Sequence, residues 1–102
     1  MKQKTKTIFI SGKVSGLSPC QAYHNFKNAE LKLRNEIEEY NVINPISICK
    51  SSYPWWLCMV ICLYNLVFKA DYIYMLRNWK DSRGARIEHA VAIKTRKVII
   101  YE

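Results

Sequence analysis

The sequence predicts an α/β fold in which a parallel sheet lies between layers of helix. Three observations carry this expectation. Short apolar runs with β-branched residues alternate along the chain with longer stretches of helical period. The gaps between successive runs are long enough for the helical crossovers that parallel strands require. The 102 residues, half of them apolar and 24% charged, fit one compact domain over residues 1–102.

After a basic start at Lys2, Lys4 and Lys6, residues 7–11 read TIFIS and are closed by Gly12, the pattern of a buried strand. Ser18, Pro19 and Gln21 form a capping box with proline at the first helical position, so a helix starts there. Ala22, Phe26, Ala29, Leu33, Ile37 and Tyr40 follow as one apolar stripe, with Lys27, Lys32, Glu36 and Glu39 on other faces. Residues 41–44 (NVIN) give a brief second strand stopped by Pro45, and an irregular Ser-rich stretch leads to Pro54.

Pro54 opens a second helix over residues 54–69 that is apolar all the way round. A helix covering a sheet needs only one apolar stripe. Its other side is therefore expected against a second copy of the chain, with Trp55 and Trp56 as anchors of a homo-oligomer. Residues 71–76 (DYIYML) make a third strand. A third helix covers residues 84–95 with Ala85, Ile87, Val91 and Ala92 inward, and residues 97–101 (KVIIY) a fourth strand. With right-handed crossovers, this β-α-β-α-β-α-β order gives a flavodoxin- or Rossmann-like three-layer sandwich: four parallel strands in the order 2-1-3-4 with three helices.

A formal charge of +8 and a pI near 9.5 favour anionic partners. The cationic residues are scattered and form no nucleic-acid motif, so nucleic acid is not the expected partner. The apolar run over residues 54–68 is about 15 residues, against roughly 20 for a bilayer span, and Asn65 interrupts it; no membrane span is expected. Cys20, Cys49, Cys58 and Cys62 follow no signal peptide and form no CxxC pair, which reads as reduced, mostly buried thiols and a cytoplasmic location. Cys58 and Cys62 share a helical face, but His24 and His89 lie far from them in sequence, so neither a metal site nor a cofactor is expected.

Sheets of this kind bind ligands beyond the carboxyl ends of the strands, where the strand order reverses. Two loops flank that point, residues 12–18 and residues 77–84. The first carries Gly12, Lys13 and Gly16; it is neither GxGxxG nor a Walker A loop, yet two glycines let backbone N–H groups approach an anion and Lys13 adds charge. An ordinary strand-to-helix turn is the alternative. The second carries Ser82 as a natural N-cap and Gly84, which keeps the helix N-terminus open to an anion.

One turn further, Glu88 is expected beneath the same mouth on the polar side of its helix, either as a carboxylate that attacks an electrophilic carbon or as a solvated charge paired with Lys80 or Arg83. Trp79 either stacks on a base or sugar or covers the core. Tyr23 and His24 face either the mouth or solvent. His89 turns roughly 100° away from Glu88, which argues against a His–Glu pair.

The segments IFISGKVSG, Asn44-Pro45, ADYIYML and WKDSRGARIEHA resemble the DUF4406 family and, beyond it, the nucleoside 2-deoxyribosyltransferase-like superfamily, over nearly the whole chain. The superfamily segment S-x-G-x-x-x-E matches Ser82, Gly84 and Glu88. The resemblance implies a phosphate or sugar-hydroxyl contact for Ser82 and Gly84, and covalent attack by Glu88 on C1′ of a deoxyribose. Gly12 and Gly16 match the loop that surrounds the sugar. The aspartate that protonates the leaving base in those enzymes corresponds here to Leu63, and residues 54–70 contain no carboxylate. Asp71 is expected at the strand end opposite the mouth, in a structural part.

The sequence thus leaves two readings open. One is a nucleoside or nucleotide N-glycosidase or 2-deoxyribosyltransferase acting at C1′ through Glu88, with the basic balance favouring a nucleoside 5′-monophosphate. The other is a non-catalytic oligomeric domain that senses or sequesters a nucleotide.

Overall fold

The computed structural model describes residues 6–14, 17–36, 40–49 and 52–102. Gly16, Lys2, Lys4, Ile37 and Glu39 lie outside them, as does the side chain of Glu36. The elements run β1 (Lys6–Ser11), α1 (Pro19–Glu36), β2 (Tyr40–Ile43), α2 (Pro45–Ile48), α3 (Trp55–Phe68), β3 (Tyr72–Met75), a 3-10 turn (Trp79–Asp81), α4 (Arg83–Lys94) and β4 (Val98–Tyr101). The four strands are all parallel and lie in the order β2-β1-β3-β4, as the alternation of segments predicts. β1 is central, pairing Lys6 with Tyr40 on one side and Ile8 with Tyr72 on the other.

Strand periodicity divides the core in two. Ile8, Ile10, Tyr74 and Leu76 point to the face covered by α1, where Phe26, Ala29 and Leu33 meet them. Phe9, Ile73 and Met75 point to the opposite face, where Cys62, Leu66, Ala85 and Ala92 from α3 and α4 pack. Ser11, two residues after Phe9 and fully buried, shares that second face.

Three local departures from the sequence pattern have clear causes. Tyr40 does not extend the α1 stripe but opens β2, because the Tyr-Asn-Val-Ile run pairs in register with β1. The capping box at α1 is half formed: Gln21 N–H donates to Ser18 Oγ at 3.1 Å, while the Gln21 side chain turns to Asn25 Oδ1. The stretch after β2, expected to be irregular, contains the one-turn helix α2. Asn44 Oδ1 accepts from Ile46 N, Pro45 supplies a pre-set first helical residue, and Cys49 N–H closes on the Pro45 carbonyl.

At the strand ends away from the candidate mouth, Thr7 N–H donates to Asp71 Oδ2 at 3.1 Å and staples β1 to the start of β3. Asp71 is therefore structural. Among the described residues, no helix is long and apolar enough to cross a membrane.

Candidate functional site

Beyond the carboxyl ends of β1 and β3 lies a cavity of about 750 Å³. Its floor is Gly12 at the end of β1 and Glu88 of α4; its walls are the α3 residues Trp55, Met59 and Cys62; Ser82 and Gly84 stand at the α4 N-terminus. Among the described lining residues, Glu88 alone is charged.

Glu88 is not on the polar side of α4. It is 6% exposed and shares the inward stripe with Ala85 and Ala92, three residues before and four after it. Its buried carboxylate needs a partner, and Ser11 supplies one: Ser11 Oγ–H donates to Glu88 Oε1 at 2.6 Å. Burial pushes the Glu88 carboxyl up from the usual 4.5 to about 7, with hydrogen bonds from Ser11 and Cys62 pulling in the opposite direction. The ion pair with Lys80 or Arg83 that the sequence left open does not form; Arg83 instead lies over the Trp55 ring, 4.8 Å from its centroid.

The α4 N-terminus is built as its sequence suggests. Ser82 is the N-cap and accepts from Ala85 N–H at 3.2 Å. A Cβ on Gly84 would meet Met59 Sδ at 3.0 Å, so the missing side chain lets α4 approach α3. Gly12 is tighter still. A Cβ there would fall 2.5 Å from Leu76 Cδ1, in the core under the cavity.

Of the other sequence candidates, Lys13 does not line the cavity. Its backbone N–H donates to Asn78 Oδ1 at 3.1 Å and ties the two loops together. Trp79 also stays away from the cavity: its ring stacks on His89 at 4.2 Å and lies 6.2 Å from Tyr101, so it covers the core at the β4 side. His89 in turn bonds Tyr101 Oη at 2.8 Å, and no His–Glu pair forms. Tyr23 and His24 are exposed and pack edge to face on each other. Leu63 packs against the core cluster of α3 and α4.

Two kinds of site residue escape the sequence reading. Ser11 reads as the last residue of a strand, although its spacing of two from Phe9 puts it on the α4 face. Trp55, assigned to an interface, and Cys49, Cys58 and Cys62, read only as thiols, all line the cavity. The one usable signal for them is the CxxxC spacing on α3, which sets two thiols on one helical face.

The model of a domain of unknown function, DUF4406, matches residues 6–101. The chain belongs to the DUF4406 family. No curated protein matches the chain. For this DUF4406 protein the chemistry available at the site is set by its own residues: one buried carboxylate of raised pKa, a helix N-terminus, and an apolar wall closed by an aromatic ring that carries a guanidinium.

Proposed function

We propose that the cavity takes a nucleoside or nucleoside 5′-monophosphate and that the protein is an N-glycosidase or 2-deoxyribosyltransferase acting at C1′ through Glu88. The observation that carries this reading is the isolation of Glu88, buried at the cavity floor and held by Ser11. A carboxylate stripped of water and oriented by one hydroxyl is suited to attack an electrophilic carbon. In this reading a Glu88 oxygen bonds to C1′ as the C1′–N bond breaks, and water or a second base then displaces the carboxylate, as in retaining glycosidases. The Ser82 hydroxyl and the Gly84 N–H at the α4 N-terminus receive the 5′ end or its phosphate, and Arg83 adds charge beside them. The resemblance to the nucleoside 2-deoxyribosyltransferase-like superfamily at Ser82, Gly84 and Glu88 supports the same assignment of roles.

The second reading, a nucleotide-binding domain without chemistry, is favoured by one observation: no second carboxylate lines the cavity among the described residues. Lack of a general acid typically costs about 10²–10⁴-fold in rate. Incubating the protein with ribo- and deoxyribonucleosides and their 5′-monophosphates, and measuring free base by HPLC, separates the two. Under the first reading base is released, Glu88→Ala lowers the rate by about 10³-fold or more, and the rate climbs with pH up to about 7 before levelling, because attack requires the ionised carboxylate. No release, together with a melting shift for one nucleotide, supports the second.

A further inference from the structure

Three of the four cysteines converge on the cavity wall: Cys49 at the end of α2, and Cys58 and Cys62 on α3. Cys49 Sγ lies 3.8 Å from Cys62 Sγ and 3.8 Å from the Cys58 carbonyl oxygen. Cys62 is buried, whereas Cys49 is only half-buried and opens on the cavity. Two thiols from different elements, in contact and reachable from solvent by one path, form a pair that a two-electron oxidant can join.

We propose that Cys49 and Cys62 are a modification site, a dithiol that is oxidised to an intramolecular disulfide by a low-molecular-weight disulfide entering the cavity. The Cys49 thiolate attacks one sulfur of the reagent, whose S–S bond breaks and releases the first thiol. The Cys62 thiolate then attacks Cys49 Sγ and expels the second. The two protein thiols give up two electrons and two protons, and the reagent leaves as two thiols. Cys49 is the first nucleophile because it is the more open of the two, and because burial pushes its thiol up only to about 11 while Cys62 is pushed further. The bond joins the end of α2 to α3 in the wall of the cavity that Glu88 also lines.

The proposal stands whether or not the protein is a glycosidase, since it needs only the wall of the cavity. The test is intact-mass and peptide mapping after exposure to glutathione disulfide, in a Cys20→Ser background because Cys20 is exposed and would take the reagent by itself. The expected product is a monomer lighter by two hydrogens, with Cys49 linked to Cys62. Cys58→Ser retains the link, Cys49→Ala abolishes it, and dithiothreitol reverses it. The link constrains the unfolded chain between residues 49 and 62, so the oxidised protein is expected to melt at a higher temperature than the reduced one. A stable mixed disulfide, a link to Cys58, no loss of mass, or a linked product that melts lower would each overturn the proposal.

Discussion

Glu88 is held at a cost that depends on pH. Because burial raises its pKa from the usual 4.5 to about 7, the folded protein binds this proton more tightly than the unfolded chain does. Stability is therefore greatest below about 4.5 with respect to this group, declines as pH rises through 7, and levels off above. The span of the shift corresponds to about 3 kcal/mol. Glu88→Gln is expected to remove that slope and to be more stable than the parent at pH 8, read from urea midpoints at pH 5 and 8. Gly12 tests a different property of the same floor. Gly12→Ala forces a Cβ onto Leu76 and is expected to cost about 1–3 kcal/mol. Gly84→Ala presses on the flexible Met59 thioether and meets Trp55 only at ordinary contact distance, so it should cost less.

At the scale of elements, sequence patterning was informative where burial is one-sided. The α1 residues Ala22, Phe26, Ala29 and Leu33 declare their face, and the alternation in β1 and β3 declares both faces. The same logic misplaced Glu88, because a lone carboxylate between two small residues reads as the edge of a polar face until the hydroxyl opposite it is known. Ser11 comes from the far end of the chain, 77 positions away, and no local pattern links the two. Short helix α2 was missed because one turn carries no period; only the Asn44-Pro45 pair marks it. Two of the three tryptophans changed part: the sequence set Trp55 at an interface and left Trp79 between a ligand and the core. The structure separates them: Trp55 lines the cavity beneath Arg83, and Trp79 stacks on His89. Under the proposed function, Trp55→Ala is expected to weaken nucleotide binding by roughly tenfold with little change in melting temperature. Trp79→Ala should lower the melting temperature and leave affinity unchanged, with calorimetric titration and thermal melts as the two readouts.

At the scale of the whole molecule, α3 stands out from a basic chain. The chain carries a net charge of +8, yet α3 contains no charged residue and exposes a ridge of Trp56, Val60, Tyr64 and Phe68, one every fourth position. Trp56 and Phe68 are 62% and 73% exposed, which is costly for large apolar side chains in water. We propose that this ridge meets its counterpart in a second copy, the other half of the all-round apolar pattern of α3. Sedimentation should then show a species larger than one chain, and Trp56→Glu should return it to a monomer with the fold intact. Raised salt should strengthen the association, because like charges outside the ridge repel.

The central place of β1 has a further meaning in time. Its two neighbours arrive about 34 and 64 residues later in the chain, and Glu88 reaches Ser11 only when nearly all of the polypeptide is present. Loops of that length close slowly compared with the formation of α1 or α3. The cavity floor is thus among the last parts of the molecule to come into being. During synthesis β1 waits for β3, and the carboxylate of the site is missing until α4 has docked. A fragment lacking α4 would keep the Gly12 and α3 sides of the cavity but have neither Glu88 nor the helix N-terminus, so the chain acquires its chemistry after its pocket walls.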